Sequence, residues 1–310
     1  MCGYYCIVSS DQINLDASIK SLDLISHRGP DSQKYFLNDQ RSVFMGFNRL
    51  SILDLRSEAD QPMIDEESQR IIIFNGEIYN HNEVRKFLIE KKYTFKTTSD
   101  TEVILKAYDF WKEDLLERLE GMFSFVIHDP IENNIFFARD RAGEKPLFYL
   151  HNKKSFYICS EIKPIHKDSG KKDLSIDGLN HFFENGFTSK DISMIDGIKK
   201  LKPGHQAMLN INTLKLDIKR YWNLEEQIIK PLKNIKKQNN YYIDKLELLL
   251  GNAVKKQLIA DVPVGMMLSG GVDSSLIVAT ASKYFNQLNT FTVTFPDLQK
   301  YDESKHAQLI

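Results

Sequence analysis

The sequence predicts two domains of different class: an α+β domain of layered sheets covered by helices, then the beginning of an α/β doubly wound domain. Three observations carry this. Residues 1–220 hold many short β-branched or aromatic runs between turn signals, with helical stretches among them. A Lys-, Asn- and Gln-rich stretch with a proline, Gln227–Asn240, breaks that pattern and reads as a linker. Beyond it, a strand, a glycine turn, a helix and a strand follow in the order of a βαβ unit, the start of a parallel sheet. The expected organisation is therefore a first domain over 1–220, a linker over 221–240 and part of a second domain over 241–310.

Each element has a local reason. The strand-forming runs are Tyr4–Ser9, Lys34–Leu37, Ser42–Phe47, Ile71–Phe74, Met122–His128, Ile135–Arg139, Phe148–Leu150 and Phe156–Cys159. Helices are expected over Ala17–Ser26, Asn82–Lys91, Thr101–Trp111 and Ile176–Asn185. Asn80 stands three residues before Glu83, and Ser99 three before Glu102, which is capping-box spacing. In the second part, Tyr241–Ile259 has leucines and isoleucines at helical spacing. A strand (Val264–Leu268), a helix (Val272–Phe285) and a strand (Phe291–Phe295) follow. One βαβ unit cannot close a core, and Ile310 falls inside a new helical stretch, so the second domain reads as truncated, the front of a longer protein.

Composition excludes several classes. A length of 310 residues fits two domains better than one. Lys plus Arg number 41 against 42 Asp plus Glu, which leaves no basic field for nucleic acid or an anionic membrane. No apolar run reaches the roughly 18 residues of a membrane span, and the N-terminus has no signal-peptide pattern. Cys2, Cys6 and Cys159 cannot all pair and match no zinc spacing, so free thiols in a reducing cytoplasm are expected.

Cys2 carries the first chemical signal. Gly3 follows it and allows close backbone approach to a ligand. The strand-like run after it anchors the terminus. If Met1 is removed, Cys2 holds a thiol and a free α-amine, whose reference pKa of about 7.7–8.0 suits a general base near neutral pH. One residue then supplies nucleophile and base. The competing reading is a frayed terminus, and the residue alone leaves the two open.

The order of motifs separates them. Met1-Cys2-Gly3, His27-Arg28-Gly29-Pro30-Asp31, Arg49-Leu50-Ser51-Ile52, Asn75-Gly76-Glu77-Ile78-Tyr79-Asn80, Ser99-Asp100-Thr101-Glu102, Gly121-Met122-Phe123-Ser124-Phe125 and Arg139-Asp140-Arg141 occur in that sequence. The series resembles the class II glutamine amidotransferase domain of the N-terminal nucleophile hydrolases, over roughly residues 2–210. The resemblance implies an αββα fold and glutamine as substrate. Cys2 would attack the glutamine amide, and the Asn75 side chain and Gly76 N–H would form the oxyanion hole. Arg49 would pair with the α-carboxylate. Glu77 and Asp100 would hold the α-ammonium group, and Leu50, Ser51, Ile52 and Leu53 would complete the pocket. Each has a plainer reading: Arg49 and Asp100 as a surface ion pair, Asn75-Gly76 as a hairpin turn, Glu77 as a solvated charge. The His27–Asp31 motif is read as structural or as part of a domain contact. Cys6 and Cys159 are read as inert core thiols.

The second signal is Ser269-Gly270-Gly271-Val272-Asp273-Ser274-Ser275, between a strand and a helix. Glycines permit the tight turn, and N–H groups at a helix N-terminus attract anions. No Gly-Lys-Ser/Thr follows, so it is not a Walker A loop. It resembles the pyrophosphate loop of enzymes that adenylate a carboxylate or carbonyl with ATP. Flanked by Asp261-Val262-Pro263-Val264-Gly265, Phe291-Thr292-Val293 and Tyr301-Asp302-Glu303-Ser304, it resembles the asparagine synthetase family in particular. That resemblance implies ATP binding by Leu268, Ser269, Gly270, Gly271, Asp273, Ser274 and Val293, with Asp273 meeting a pyrophosphate-bound Mg²⁺.

The two halves together imply a glutamine-dependent ligase in which ammonia reaches an acyl-adenylate. Aspartate is the acceptor that the family implies. A sugar acid or another carboxylate is the alternative, and a non-catalytic scaffold is a third reading that intact Cys2, Arg49, Asn75 and Asp100 argue against. A homodimer is left open. The match departs from the family at Glu58-Ala59-Asp60, where a glycine-containing turn is usual, and at Ala142 and Glu144.

Overall fold

The computed structural model describes residues 1–188, 191–229, 239–285, 287–295, 297–298, 300 and 302–310. The chain divides into compact units over Met1–Pro231 and Leu232–Ile310. Residues 230–238 of the expected linker lie outside the described residues, as does Tyr301.

The first unit stacks two six-stranded antiparallel sheets. One has the order β10-β8-β9-β1-β3-β2, from Lys199–Lys200, Phe148–His151, Ser155–Cys159, Gly3–Ser9, Val43–Arg49 and Ser32–Leu37. The other has the order β12-β11-β7-β6-β5-β4, from Leu216–Arg220, His205–Asn210, Asn134–Arg139, Gly121–Asp129, Ile71–Ile78 and Met63–Ile64. Strand alternation fills three apolar layers. Tyr4, Cys6 and Val8 of β1 meet Ile71 and Ile73 of β5 between the sheets. Tyr5 and Ile7 face helices α1 (Leu15–Leu22) and α5 (Ile162–Ser169) through Leu22 and Ile165. Ile72 and Phe74 pack under α2 (His81–Glu90) and α3 (Asp100–Trp111) through Val84, Leu88 and Ile104. This is the layered αββα architecture, with β1 inside its sheet and the N-terminus tied down.

Several elements differ from expectation for identifiable reasons. Asn80 does not cap α2. Its Nδ2 donates to Arg118 O and its Oδ1 accepts from Glu120 N–H, so it joins two loops. Ser99 does cap α3, accepting from Thr101 N–H, but Glu102 accepts from Lys96 and Thr97 N–H instead of closing the box. The first helix is Leu15–Leu22 continued by a 3₁₀ segment over Asp23–Arg28. Ile162–Ser169 is helical although it contains Pro164, which sits in the first turn where its missing N–H costs nothing. Strand β5 runs on through Asn75 and Gly76 to Ile78, so that dipeptide is not a turn.

The second unit has parallel strands β13 (Gly265–Met267) and β14 (Asn289–Phe291) joined through helix Val272–Ala281, with a long helix Asn239–Gln257 before them. The second strand falls earlier than the expected Phe291–Phe295. Among the described residues one buried cluster here joins Leu268, Val278 and Ala307, with Met266 and Leu288 against them.

Candidate active site

Three strands bring the first group of residues to one end of the sandwich. Cys2 precedes β1 and is partly buried against the inter-sheet core. Arg49 ends β3, and Asn75, Gly76 and Glu77 lie near the end of β5. The cleft they share is lined by Cys2, Arg49, Leu50, Ile52, Leu53, Gly76, Glu77 and Asp100, with Ala59, Gln61, Phe74, Ser99 and Thr101. Of the residues expected here, Ser51 and Asn75 are absent from that lining. Ser51 gives its N–H to Asp31 Oδ2 at 2.7 Å, and Asn75 faces the space between the sheets.

Cys2 is held from both sides. Leu50 N–H donates to Cys2 Sγ at 3.4 Å, and Arg28 Nε donates to Cys2 O at 2.9 Å while its Nη1 reaches Glu161. Burial pushes the Cys2 thiol up, opposed by the Leu50 N–H, so the resting group is a thiol. Burial also holds the terminal amine, here on Met1, below its ordinary value.

The strand register aims the donors. Asn75 pairs with Ser124 and Gly76 with Phe123. Tyr79 N–H bonds Glu120 O, so hydrogen-bonded pairs fall at odd positions of β5 and the Gly76–Phe123 pair is not hydrogen-bonded. Phe123 accordingly gives its N–H to Asp140 Oδ2 and its O to Asp140 N–H. Gly76 N–H therefore points away from β6, along the edge where Phe74 N–H meets Gln61 Oε1 and Ile78 N–H meets Asp100 Oδ2. Strand β4 borders that edge at Ile71 and Ile72, which leaves Gly76 N–H facing the cleft. A Cβ at Gly76 would sit 2.2 Å from Met122 O, so only glycine fits. On the inter-sheet face, Asn75 is 1% exposed and its Nδ2 is a buried donor without a partner among the described residues. Tyr4 Oη and Arg28 Nη2 are orphaned likewise, one on Cys2's face of β1 and the other on its clamp.

Half-buried Glu77 and buried Asp100 line the same cleft. Burial, then the Asp100 charge, pushes Glu77 up to about 8, against the opposing Lys145 ammonium. Asp100 is raised as well, by burial, although Ile78 N–H favours its charged form. A cation between them relieves both, which is what an α-ammonium group offers. Lys145, buried and held below its ordinary value by burial, is a residue that sequence reasoning missed. Gln61 is another, whereas Arg28, which clamps Cys2 O, lies in the motif read as structural. The roles of Lys145 and Gln61 are contacts across long sequence separations, which leave no local signal.

The Glu77 shift has a stability consequence. A carboxyl with a raised folded value adds stability below its ordinary value of 4.5 and loses it as pH climbs to about 8. Glu77→Gln removes that loss. Thermal scans of the ligand-free protein should show the variant melting above wild type at pH 8, by roughly 2–4 °C per kcal/mol, with the gap closing toward pH 4. A variant that melts lower at pH 8 would contradict the environment assigned to Glu77.

Arg49 is 5% exposed, and both of its terminal nitrogens are engaged. Nη1 donates to Arg56 O and Asp60 Oδ1 at 2.9 and 2.7 Å, and Nη2 to Leu53 O and Asp54 O at 3.2 and 2.5 Å. The ion-pair alternative thus holds with Asp60, not with Asp100, and it is internal, not on the surface.

In the second unit, the loop after β13 brings Ser269, Gly270, Gly271, Asp273 and Ser274 to the N-terminus of helix Val272–Ala281. Gly270 has φ +81, a conformation glycine favours. Ser269 Oγ and Ser274 Oγ lie 3.0 Å apart. Asp273 is exposed in the first helical turn. Leu268 N–H and O are already bonded, to Phe291 O and Thr292 Oγ1. Val293 lies past the end of β14 and is exposed. Cys6 and Cys159 are fully buried, and burial pushes both thiols far up.

Comparison with known proteins agrees with this division. Residues 1–222 match the family described as glutamine amidotransferase domain, and residues 245–310 match asparagine synthase. The chain is 33% identical over 300 residues to asparagine synthetase [glutamine-hydrolyzing] 1 of Bacillus subtilis, covering 95% of this chain and 46% of that protein. It is 36% identical over 299 residues to asparagine synthetase [glutamine-hydrolyzing] 3 of the same organism, covering 92% and 46%. The chain thus spans about half the length of these relatives. Among solved structures, glutamine phosphoribosylpyrophosphate amidotransferase from B. subtilis, complexed with ADP and GMP, superposes with a TM-score of 0.53 at 15% identity, covering 96% of this chain and 67% of that one. A structure described as the allosteric regulatory enzyme of purine biosynthesis gives 0.51 at 16%, covering 96% and 66%. Those likenesses show the fold. With the family match over residues 1–222, the chain belongs to the glutamine amidotransferase family, joined to the start of an asparagine synthase domain.

Proposed function

We propose that the first unit hydrolyses glutamine at Cys2 and that its ammonia serves an ATP-dependent amide synthesis begun by the second unit. The observation that carries this is a pair of unspent donors: buried Asn75 Nδ2, without a partner among the described residues, and Gly76 N–H, turned out of the β5–β6 ladder in the cleft that Cys2 also lines. Unsatisfied buried donors are costly and rare, and an oxyanion is the partner that this pair lacks.

In this reading Met1 is removed and the freed Cys2 amine takes the thiol proton. Sulfur attacks the glutamine δ-carbonyl, whose oxygen gains negative charge between Asn75 and Gly76. The Cys2 ammonium returns its proton to the departing nitrogen, and collapse expels ammonia and leaves a glutamyl thioester, which water hydrolyses to glutamate. Glu77 and Asp100 take the α-ammonium and Arg49 the α-carboxylate. Ammonia then attacks an acyl-adenylate formed from ATP. With aspartate as acceptor, β-aspartyl-AMP gives asparagine, and the remaining products are AMP and pyrophosphate. The Ser269–Ser274 loop suits the pyrophosphate. Mg²⁺ is commonly held by one or two carboxylates plus phosphate oxygens, and exposed Asp273 supplies such a carboxylate.

The two activities separate by substitution. Asp273→Ala, in a polypeptide carrying the whole asparagine synthase domain, should abolish ATP-dependent amide formation and leave glutamate release from glutamine within about twofold of wild type. The same assay over a panel of carboxylates, sugar acids included, identifies the acceptor. Loss of glutamate release together with synthesis, in a folded protein, would contradict the division of labour.

A further inference from the structure

Arg49 is spoken for before any substrate arrives. A guanidinium has five N–H donors, and all four on Nη1 and Nη2 are taken, by three backbone carbonyls and by Asp60 Oδ1. A fork-like grip on a carboxylate uses either both terminal nitrogens or Nε with one of them. Either geometry requires at least one occupied N–H to be released.

Chemistry singles out which contact yields. Asp54 is buried, so freeing its carbonyl would strand an acceptor, whereas Arg56 O also accepts from Ala59 N–H at 3.2 Å. Freeing Asp60 strands nothing. Its Oδ2 lies 3.0 Å from Lys34 Nζ, and Ser32 Oγ donates to its Oδ1 at 3.1 Å. Lys34 is half exposed and able to follow the carboxylate. One oxygen of an incoming carboxylate can therefore take the Nη1 N–H that Asp60 vacates while Asp60 falls back on Lys34 and Ser32, and neither buried charge is left bare.

We infer that Asp60 is an internal competitor for the α-carboxylate seat on Arg49, exchanged for the substrate on binding, and that it sets the glutamine KM. This rests on the reading of Arg49 as the α-carboxylate partner. Asp60→Asn keeps shape and hydrogen bonding but removes the competing charge. It should lower the glutamine KM by roughly two- to tenfold with kcat unchanged. Lys34→Met removes the fallback partner and should raise KM. Hydrolysis of 4-aminobutanamide, a glutamine analogue without the α-carboxylate, should not respond to either change, whereas a merely structural role would move both substrates together.

Steady-state kinetics on the three proteins, with Arg49→Ala as the control, decide it. An unchanged or raised KM in Asp60→Asn, while Arg49→Ala raises KM, overturns the competitor and spares the Arg49 reading. An unchanged KM in Arg49→Ala overturns both. Lowered KM in Asp60→Asn, raised KM in Lys34→Met and indifference of the analogue together support the exchange.

Discussion

Cys2→Ala should abolish glutamine hydrolysis, with a fall in kcat on the order of 10⁴ or more, as when a covalent nucleophile is deleted. Nothing else in the cleft can take over. The Ser99 hydroxyl accepts from Thr101 N–H, and the Thr101 hydroxyl accepts from Gln61 Nε2. Cys6 and Cys159 are sealed in the core. The fold should survive, because the Sγ contacts with Leu50 are long, at 3.4 and 3.5 Å, and the residue precedes β1. Synthesis from added ammonia, in a polypeptide with the whole synthase domain, should persist. Glutamate release by Cys2→Ala at a rate near wild type would remove the nucleophile from the account.

Asn75→Ala should lower kcat about 10²–10³-fold with little change in KM, the effect of losing one oxyanion donor. The orphaned Nδ2 makes this sharp. In the free protein that nitrogen bonds nothing among the described residues, so its removal forfeits no Nδ2 hydrogen bond in the ground state. Stability should accordingly fall little, or rise, since a buried unsatisfied donor is removed. The expected signature is a slow but robust variant, measured as kcat against melting temperature. A variant that loses stability while keeping kcat would mean that Asn75 serves the packing between the sheets.

The same residues show where sequence reading succeeds and where it stops. Strand runs such as Tyr4–Ser9 and Met122–His128 were legible because two-residue alternation and β-branching are local properties. The family was legible because its motifs keep their order along the chain. Asn75-Gly76 was ambiguous, since the dipeptide also suits a hairpin turn. What decides for the strand is pairing with Ser124 and Phe123, almost 50 residues away, and no local pattern encodes it. The direction of Gly76 N–H depends on that register as well. Asp60 belongs to the same class: its grip on Arg49 spans 11 positions and depends on the shape of the loop between them. The failed Asn80 cap has the opposite cause. The local spacing was right, but the contacts to Arg118 and Glu120 outweighed it.

The chain is expected to form a glutamyl thioester on an N-terminal cysteine. The most direct test is mass spectrometry of the protein quenched in acid during turnover with glutamine. The N-terminal peptide should begin at Cys2, without Met1, and carry one glutamyl group that alkaline hydroxylamine removes. Retention of Met1 and absence of any adduct, in a preparation that still releases glutamate, would contradict it.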